Sequence, residues 1–460
     1  MRTFAIRTLG CKVNQYESRQ IRELLEQLGL HRVTSPSKPD LVVVHTCCVT
    51  HTASSKSRQY IRQARKQSPD ALIVVSGCLP VINIGELIIP TKNVHIIRDR
   101  TSLATKLRHL VGDNTAEPVS RSNQSCPNNS IKAKNGFKIK YKNTLCDNDL
   151  ELPPLTSFKD QTRAFLKVQD GCDGYCSYCI VPKTRPFVRS KPVEQVLSEA
   201  QALVDSGHKE IVITGVFLGA YGQNTVRRKT WSQQQNDHLA DLLDKMAQIP
   251  HLARIRLSSL EPSDVTSRLL DTICANRNIL PHLHLSLQSG SDAILKKMCR
   301  QYGIDEFRQK IRSIQTQLDR PAITTDIIVG YPGETDADFQ QTVNLANEVG
   351  FAKIHVFTFS PRPETVAAKS HNKLDRKTIR KRSEILHRVG IDLGRQYRQQ
   401  FIGETAEILI ENNAGPVYGR TERYFKVYLE KKTKIPKKND LVTVKLIENR
   451  ENEMVGTLLT

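Results

Sequence analysis

Across residues 163 to 370 a strand-like run followed by a helical pattern recurs six times, and no other feature of the chain restricts its fold so far. The runs are AFLKVQ, EIVITG, ARIRLSS, LHLSLQ, TTDIIVG and KIHVFTF. They repeat at roughly 30 to 45 residues, enough for one strand, one crossover helix and two short loops. Six such units predict a parallel barrel or partial (β/α)6 barrel, with its chemistry at the carboxyl ends of the strands. Pro192 opens the first helix, where a missing N–H has no intrahelical acceptor to lose.

The flanks read differently. In residues 1–112, FAIRTL, LVVVHT, ALIVVS and VHIIR look like buried strands, and residues 18–28 and 54–66 like crossover helices. That alternation predicts an open parallel sheet with helices on its faces. Residues 113–160 are rich in Asn, Ser, Lys and Pro and predict a flexible linker or insertion. Residues 374–400 read as a basic helix, and AEILIE, FKVYLE, LVTVKLI and MVGTLLT as short strands of a small antiparallel β-barrel. The expected fold class is therefore α/β with three domains, at 1–112, 161–396 and 397–460. A chain of 460 residues is long enough for them.

Eleven cysteines with no signal-peptide core before them point to metal or catalytic thiols, not to disulfides. The run GCDGYCSYC places Cys172, Cys176 and Cys179 in a C-x3-C-x2-C pattern directly after the first barrel strand. Soft thiolates suit an iron–sulfur cluster or zinc. Structural zinc takes four ligands, whereas three thiolates on a four-iron cluster leave one iron open. Cys11, Cys47 and Cys78 are far apart in sequence, yet each follows a predicted strand end, in TLGC, VHTC and VSGC. Carboxyl ends of neighbouring parallel strands line one crevice. Three cysteines in register there predict a second cluster, where any one alone would read as a small buried hydrophobe. Cys48, Cys126, Cys146, Cys274 and Cys299 are expected to be bystanders.

A formal charge of +21 predicts a polyanionic partner bound in a salt-sensitive way. Near the C-terminus, GPVYGRTERYFKVYLEKKTKIPKK interleaves Tyr418, Tyr424, Phe425 and Tyr428 with Arg420, Arg423, Lys426, Lys431 and Lys432. Cations hold phosphates and aromatic faces stack unpaired bases, which favours an RNA loop over a duplex. Alternation sends about half of these side chains to the inside of a barrel. No apolar run reaches the ~20 residues needed to cross a bilayer. A cytoplasmic monomer without membrane contact is expected.

The C-x3-C-x2-C run resembles the radical S-adenosylmethionine superfamily. TLGCKVNQYES, VT with SKSR after Cys47, and SGC resemble the N-terminal domain of methylthiotransferases. TGVFLGAYG, LSSLEP, HLSLQSGSDAILKKMCRQY and DIIVGYPGETDADF resemble further blocks of that family, in order, and the last sixty residues resemble a TRAM domain. Lys12-Val13-Asn14 resembles the branch acting on threonylcarbamoyladenosine in tRNA, where other branches carry Gln-Met-Asn or Pro-Lys-Asn.

The resemblance implies two 4Fe–4S clusters, a catalytic one on Cys172, Cys176 and Cys179 and an auxiliary one on Cys11, Cys47 and Cys78. It implies S-adenosylmethionine as radical source and methyl donor, bound near Gly215, Gly219, Gln288 and Ser289. It also implies the tRNA anticodon stem-loop as substrate and an electron donor such as flavodoxin or ferredoxin. A 5′-deoxyadenosyl radical would take hydrogen from C2 of the modified adenine, and methylated sulfur would arrive from the auxiliary cluster. His45, Cys48 and GCLPV depart from the family pattern beside ligands, which questions the hydrogen bonds that tune the second cluster. Two rival readings are a ribosomal-protein aspartate methylthiotransferase and a non-catalytic zinc-bound RNA-binding protein.

Overall fold

Residues 1–34, 38–82, 93–112, 152–158, 161–231, 237–430 and 435–459 are described by the computed structural model. Most of the linker expected at 113–160 lies outside them. The chain forms two compact units. One contains Met1–Thr8, Glu17–Thr46 and Arg58–Pro153; the other contains Leu9–Tyr16, Cys47–Ser57 and Pro154–Thr460.

The first unit holds the expected open parallel sheet. Its strands among the described residues are β1 (Thr3–Thr8), β2 (His31–Arg32), β3 (Leu41–Thr46), β4 (Leu72–Gly77) and β5 (Val94–Ile96), in the order β2-β1-β3-β4-β5. Central β3 is buried along its whole length, as an apolar run covered on both faces must be. The pairings Thr8↔His45 and Thr46↔Gly77 bring the carboxyl ends of β1, β3 and β4 level with one another. Helix α1 (Lys12–Gln27) begins earlier than residue 18, and α2 spans His51–Gln67. A short α3 (Leu79–Ile82) and α4 (Leu103–Val111) follow. Phe4, Leu24, Leu25, Val43, Val74 and Leu107 fill the core between sheet and helices. Each such side chain contributes about 1.5–3 kcal/mol on burial. His45 is fully buried and held on both ring nitrogens, 2.8 Å from Ser76 Oγ and 3.1 Å from Glu17 Oε2.

The second unit contains the βα repeat. Its elements run β6 (Arg163–Asp170), α5 (Val181–Thr184), β7 (Arg189–Ser190), α6 (Val193–Asp205), β8 (Glu210–Gly215), α7 (His238–Ala247), β9 (Arg254–Leu257), β10 (Ser259–Leu260) and α8 (Ser267–Ala275). Then come β11 (His282–Leu285), α9 (Asp292–Lys297), α10 (Ile304–Gln317), β12 (Ala322–Val329), α11 (Asp336–Val349), β13 (Lys353–Thr358) and α12 (Arg376–Gln399). Two sheets, β7-β6-β8-β9 and β10-β11-β12-β13, meet where β9 bends into β10 at Ser258. Apart from antiparallel β7 at the edge, the neighbours pair in parallel, which gives the expected open arc of a partial barrel.

Strand alternation divides the arc into two faces. Leu166, Ile211, Ile213, Leu257, Leu283, Ile323 and Ile327 join the apolar core beneath the helices. The alternate positions carry Arg163, Lys167, Gln169, Glu210, Arg254, Arg256, His282, His284, Thr324, Asp326 and His355, so the lumen side is polar and charged. Leu155 and Phe158, which the sequence places in the linker, are fully buried in the same core. Asp375 caps the basic helix α12 by accepting from the backbone N–H groups of Lys377 and Thr378.

The C-terminal segments close a barrel from β14 (Thr405–Asn412), β15 (Tyr418–Thr421), β16 (Lys426–Leu429), β17 (Leu441–Asn449) and β18 (Met454–Leu458), ordered β14-β15-β16-β18-β17. One pairing departs from the expected antiparallel pattern: β16 and β18 run parallel. Strand β15 was not among the expected ones, because Gly419 interrupts its pattern. That glycine is required: a Cβ there would lie 2.5 Å from the carbonyl oxygen of Leu409.

Candidate active site

Cys172, Cys176 and Cys179 occupy the loop at the carboxyl end of β6, as expected. The chain enters that loop through Gly171, at φ +82°, where a Cβ would lie 1.7 Å from the Phe187 carbonyl oxygen. Cys172 N donates to Arg185 O (2.8 Å). Each sulfur accepts a hydrogen bond: Cys172 from Gly174 N (3.4 Å), Cys179 from Val181 N (3.4 Å) and Cys176 from Arg300 Nη1 (3.3 Å). Burial pushes the Cys172 and Cys179 thiols up to about 12. It raises Cys176 too, although the Arg300 guanidinium pulls the other way. As free thiols all three stay protonated at neutral pH, so a metal must displace those protons to bind.

Among the described residues no group of three or more His, Cys, Asp or Glu is arranged around the position of a single metal ion. The loop's three thiols, with hydrogen-bond donors on each sulfur, fit a cluster with one open iron.

A charged chain of contacts backs the loop. Arg300 Nη2 donates to Glu261 Oε1 (2.5 Å), Arg228 also pairs with Glu261 (3.4 Å), and Arg228 closes on Asp264. Asp264 Oδ2 accepts from Glu261 N (2.7 Å). Gln169, at the end of β6, accepts from Phe217 N (2.8 Å) and donates to Gly171 O (2.9 Å), tying the glycine-rich segment to the cysteine loop. Sequence reasoning did not single out Arg300, Glu261, Asp264 or Gln169, although Glu261 and Arg300 lie inside the LSSLEP and CRQY blocks.

Gly215 and Gly219 lie at close approaches. A Cβ on Gly215 would meet Gln169 Oε1 at 3.0 Å, and one on Gly219 would meet the Asp264 carboxylate at 1.9 to 2.2 Å. Gly219→Ala is therefore expected to displace a buried, paired carboxylate and to cost about 2 kcal/mol or more, read as a lowered denaturation midpoint. An unchanged midpoint would show that this carboxylate moves freely. Gln288 has φ +67°, with its backbone held between Asp326 O and Ile328 N and its amide free of hydrogen bonds among the described residues. Ser289 is buried and its hydroxyl accepts from Ser291 N (3.2 Å) while facing Thr342 Oγ1 (3.5 Å).

The other three candidate ligands follow strand ends. Cys11 and Cys47 belong to the second unit, where a Cβ on Gly10 (φ +114°) would stand 2.9 Å from Cys47 Cβ. Asn14 Nδ2 donates to Leu9 O (2.8 Å) and its Oδ1 accepts from Arg185 (3.1 Å), which in turn pairs with Asp170 (2.6 Å). The Cys47 carbonyl accepts from Ser57 Oγ (2.9 Å). In the first unit, Cys78 N donates to Thr46 O (3.0 Å) and Cys78 Sγ accepts from Arg100 Nη2 (3.2 Å). Cys11 is exposed, while Cys47 and Cys78 are buried.

At the C-terminal barrel the expected RNA-facing residues separate. Tyr424, at φ +73°, turns toward the amino ends of the βα strands, where Arg163 and Arg256 lie 5.0 and 4.6 Å from its ring centroid, while Arg420 of β15 lies 4.5 Å from it. Phe425 packs on Phe401 at 5.6 Å. Arg420 pairs with Glu411 and Arg423 with Asp319. Tyr418 and Tyr428 instead lie side by side at 5.4 Å with Lys426 over both rings. Lys431 and Lys432 lie outside the described residues.

Residues 3–97 match the Uncharacterized protein family UPF0004, and residues 166–346 match the Radical SAM superfamily. A Chlamydia pneumoniae protein named Threonylcarbamoyladenosine tRNA methylthiotransferase MtaB is 34% identical over 99% of this chain and 98% of its own length. A Thermotoga maritima protein of the same name is 36% identical over 89% of this chain and 87% of its own. The tRNA-2-methylthio-N(6)-dimethylallyladenosine synthase of Bartonella bacilliformis is 30% identical over 98% and 95%. Among solved structures, the radical S-adenosylmethionine methyltransferase TsrM of Kitasatospora setae, with cobalamin and a 4Fe–4S cluster bound, is similar in fold. Its TM-score is 0.52 at 14% identity, over 80% of this chain and 74% of that one. With three thiols on the first barrel loop and relatives at 30% identity or more along nearly its whole length, this chain belongs to the radical S-adenosylmethionine methylthiotransferase family.

Proposed function

We propose that this protein converts N6-threonylcarbamoyladenosine, next to the tRNA anticodon, to its 2-methylthio derivative. One 4Fe–4S cluster would sit on Cys172, Cys176 and Cys179, and an auxiliary one on Cys11, Cys47 and Cys78. The observation that carries the reading is the half-buried three-thiol loop at the carboxyl end of β6, in a chain that follows its relatives from end to end. When bound, the first cluster and S-adenosylmethionine supply a one-electron reduction and a 5′-deoxyadenosyl radical, which an unreactive aromatic C–H requires.

The chain's own residues bind and orient. Arg300 donates to the Cys176 sulfur and is itself fixed by Glu261. Gln169 holds the Gly215 segment against the cysteine loop, leaving bare backbone where the cofactor would lie, with the Gln288 amide as a further contact. Ser289 braces the turn beside it. The level carboxyl ends of β1, β3 and β4 favour the auxiliary triad, because each of its cysteines follows one of them. Residues 1–112 would serve the auxiliary cluster, 161–396 the radical chemistry, and 397–460 RNA as a TRAM domain. The net charge of +21 and the Tyr418–Lys426–Tyr428 face suit an unpaired RNA loop. A cytoplasmic monomer reduced by flavodoxin or ferredoxin completes the proposal; no described helix is long and apolar enough to cross a membrane.

Mass spectrometry of tRNA nucleosides decides the matter. Deleting the gene is expected to remove 2-methylthio-N6-threonylcarbamoyladenosine and to leave its unthiolated precursor. Unchanged 2-methylthio nucleosides, together with loss of a methylthio group from a ribosomal protein, would favour the aspartate-modifying rival instead.

A further inference from the structure

Large aromatic rings stand uncovered at one end of the βα arc. Among the described residues three Phe, Tyr or Trp side chains are exposed: Tyr175 (64%), Phe187 (69%) and Phe357 (44%). Tyr175 lies between Cys172 and Cys176, and Phe357 is the penultimate residue of β13. The Phe187 carbonyl lies against Gly171, the entry to the cysteine loop. All three rings therefore belong to the carboxyl ends of strands, the side that carries the candidate active site. An exposed apolar residue standing singly is ordinary, whereas rings gathered at one rim mark an interaction surface.

Two of the rings are paired with cations. Arg227 Cζ lies 4.2 Å from the Tyr175 ring centroid, and Arg189 Cζ lies 5.6 Å from that of Phe187. Arg227 is fixed in place: its Nε donates to Asp173 O (3.0 Å) and pairs with the Asp173 carboxylate (3.2 Å). That carboxylate also accepts from Val226 N (2.8 Å) and Thr225 Oγ1 (2.7 Å), so the segment after β8 grips the cysteine loop. Arg189 stands opposite Asp170 in the β6–β7 register, and its guanidinium makes no hydrogen bond or ion pair among the described residues. Each pair thus combines a flat ring, most of it in water, with a cation beside it. Unpaired nucleotides present the matching chemistry, a base with a π-face and a phosphate.

We propose that Tyr175 with Arg227, and Phe187 with Arg189, stack the unpaired bases on either side of the target nucleotide at the mouth of the active site. This rests on the proposed function, whose substrate is an RNA loop. A target base must leave the loop stack to reach the cysteine loop, and its neighbours then lose a stacking partner. A ring held ready at the rim replaces that partner, and the adjacent guanidinium holds the backbone phosphate. Stacking accepts any base, so these pairs set the position of the loop and do not read its sequence. They are separate from the Tyr418–Lys426–Tyr428 face of the C-terminal barrel.

The test uses the full chain with reconstituted clusters, a fluorescent anticodon stem-loop RNA bearing N6-threonylcarbamoyladenosine, and a blunt RNA duplex of the same length. Phe187→Leu keeps the apolar bulk and loses the ring. It is expected to weaken stem-loop binding by about tenfold and to leave duplex binding as in the wild type. Phe187→Trp should bind the stem-loop at least as tightly as the wild type. Tyr175→Leu and Tyr175→Phe, compared at equal iron content, should show the same contrast between losing and keeping a ring. A Phe187→Leu protein with wild-type affinity for the stem-loop overturns the proposal, and so does an equal loss on stem-loop and duplex. Slower cluster reduction by flavodoxin at unchanged stem-loop affinity also overturns it, since the ring would then dock the electron donor. Thiolation is scored separately. A wild type that binds the stem-loop with this dependence on the ring but leaves it unthiolated keeps the stacking site and removes the proposed function.

Discussion

Cys176→Ala is expected to reduce anaerobic cleavage of S-adenosylmethionine to 5′-deoxyadenosine by at least about a hundredfold, more than loss of a supporting contact causes. Cys176 is one of three thiols on a single loop, and its sulfur is the one that accepts from Arg300. Its removal leaves two thiolates, too few to hold a cubane with one open iron, and takes the sulfur acceptor from Arg300, which keeps Glu261, Tyr178 and Tyr302. Cys299 and Cys274 lie exposed in or after helical segments, so their alanine variants serve as controls that should cleave normally. Quantifying 5′-deoxyadenosine by chromatography gives the answer. Substantial cleavage by Cys176→Ala, at the wild-type iron content, would mean that the radical cluster is held elsewhere.

Cys47→Ala should produce the opposite pattern. Iron and labile sulfide should fall from about eight to about four per chain. 5′-Deoxyadenosine should still form, while 2-methylthio product on tRNA should fall below detection. The separation follows from position: Cys47 is buried at the end of β3, with its backbone fixed by Ser57, and is not part of the β6 loop. Alanine replaces one small buried group by another, so the surrounding packing is little disturbed and the phenotype reports ligand loss. Full thiolation by this variant would remove the auxiliary role from Cys47.

Much of this architecture was legible in the chain. The six βα runs appear as the strands of the open arc, and LVVVHT is β3 residue for residue. Cys172, Cys176 and Cys179 were readable because three close thiols report one loop whatever surrounds it. Other features were not. Strand β15 was hidden by Gly419, a glycine needed for close backbone approach. Tyr424 reads in sequence as one aromatic among several, but its positive φ and three surrounding guanidiniums place it within the protein. Arg300 meets Cys176 across 124 positions of chain, a separation that no local pattern encodes.

Strand and helix periodicity, the thiol loop and the excess of positive charge are short-range or summed properties, and the amino-acid sequence by itself determines them. Which charges find partners is a different kind of fact. The pairing of Arg256 with Glu210, the turn of Tyr424 toward the βα strands and the contact of Arg300 with Cys176 depend on segments apart in the chain meeting where water is scarce. Only the tertiary structure decides that, because desolvation and ion pairing depend on distances that folding alone sets.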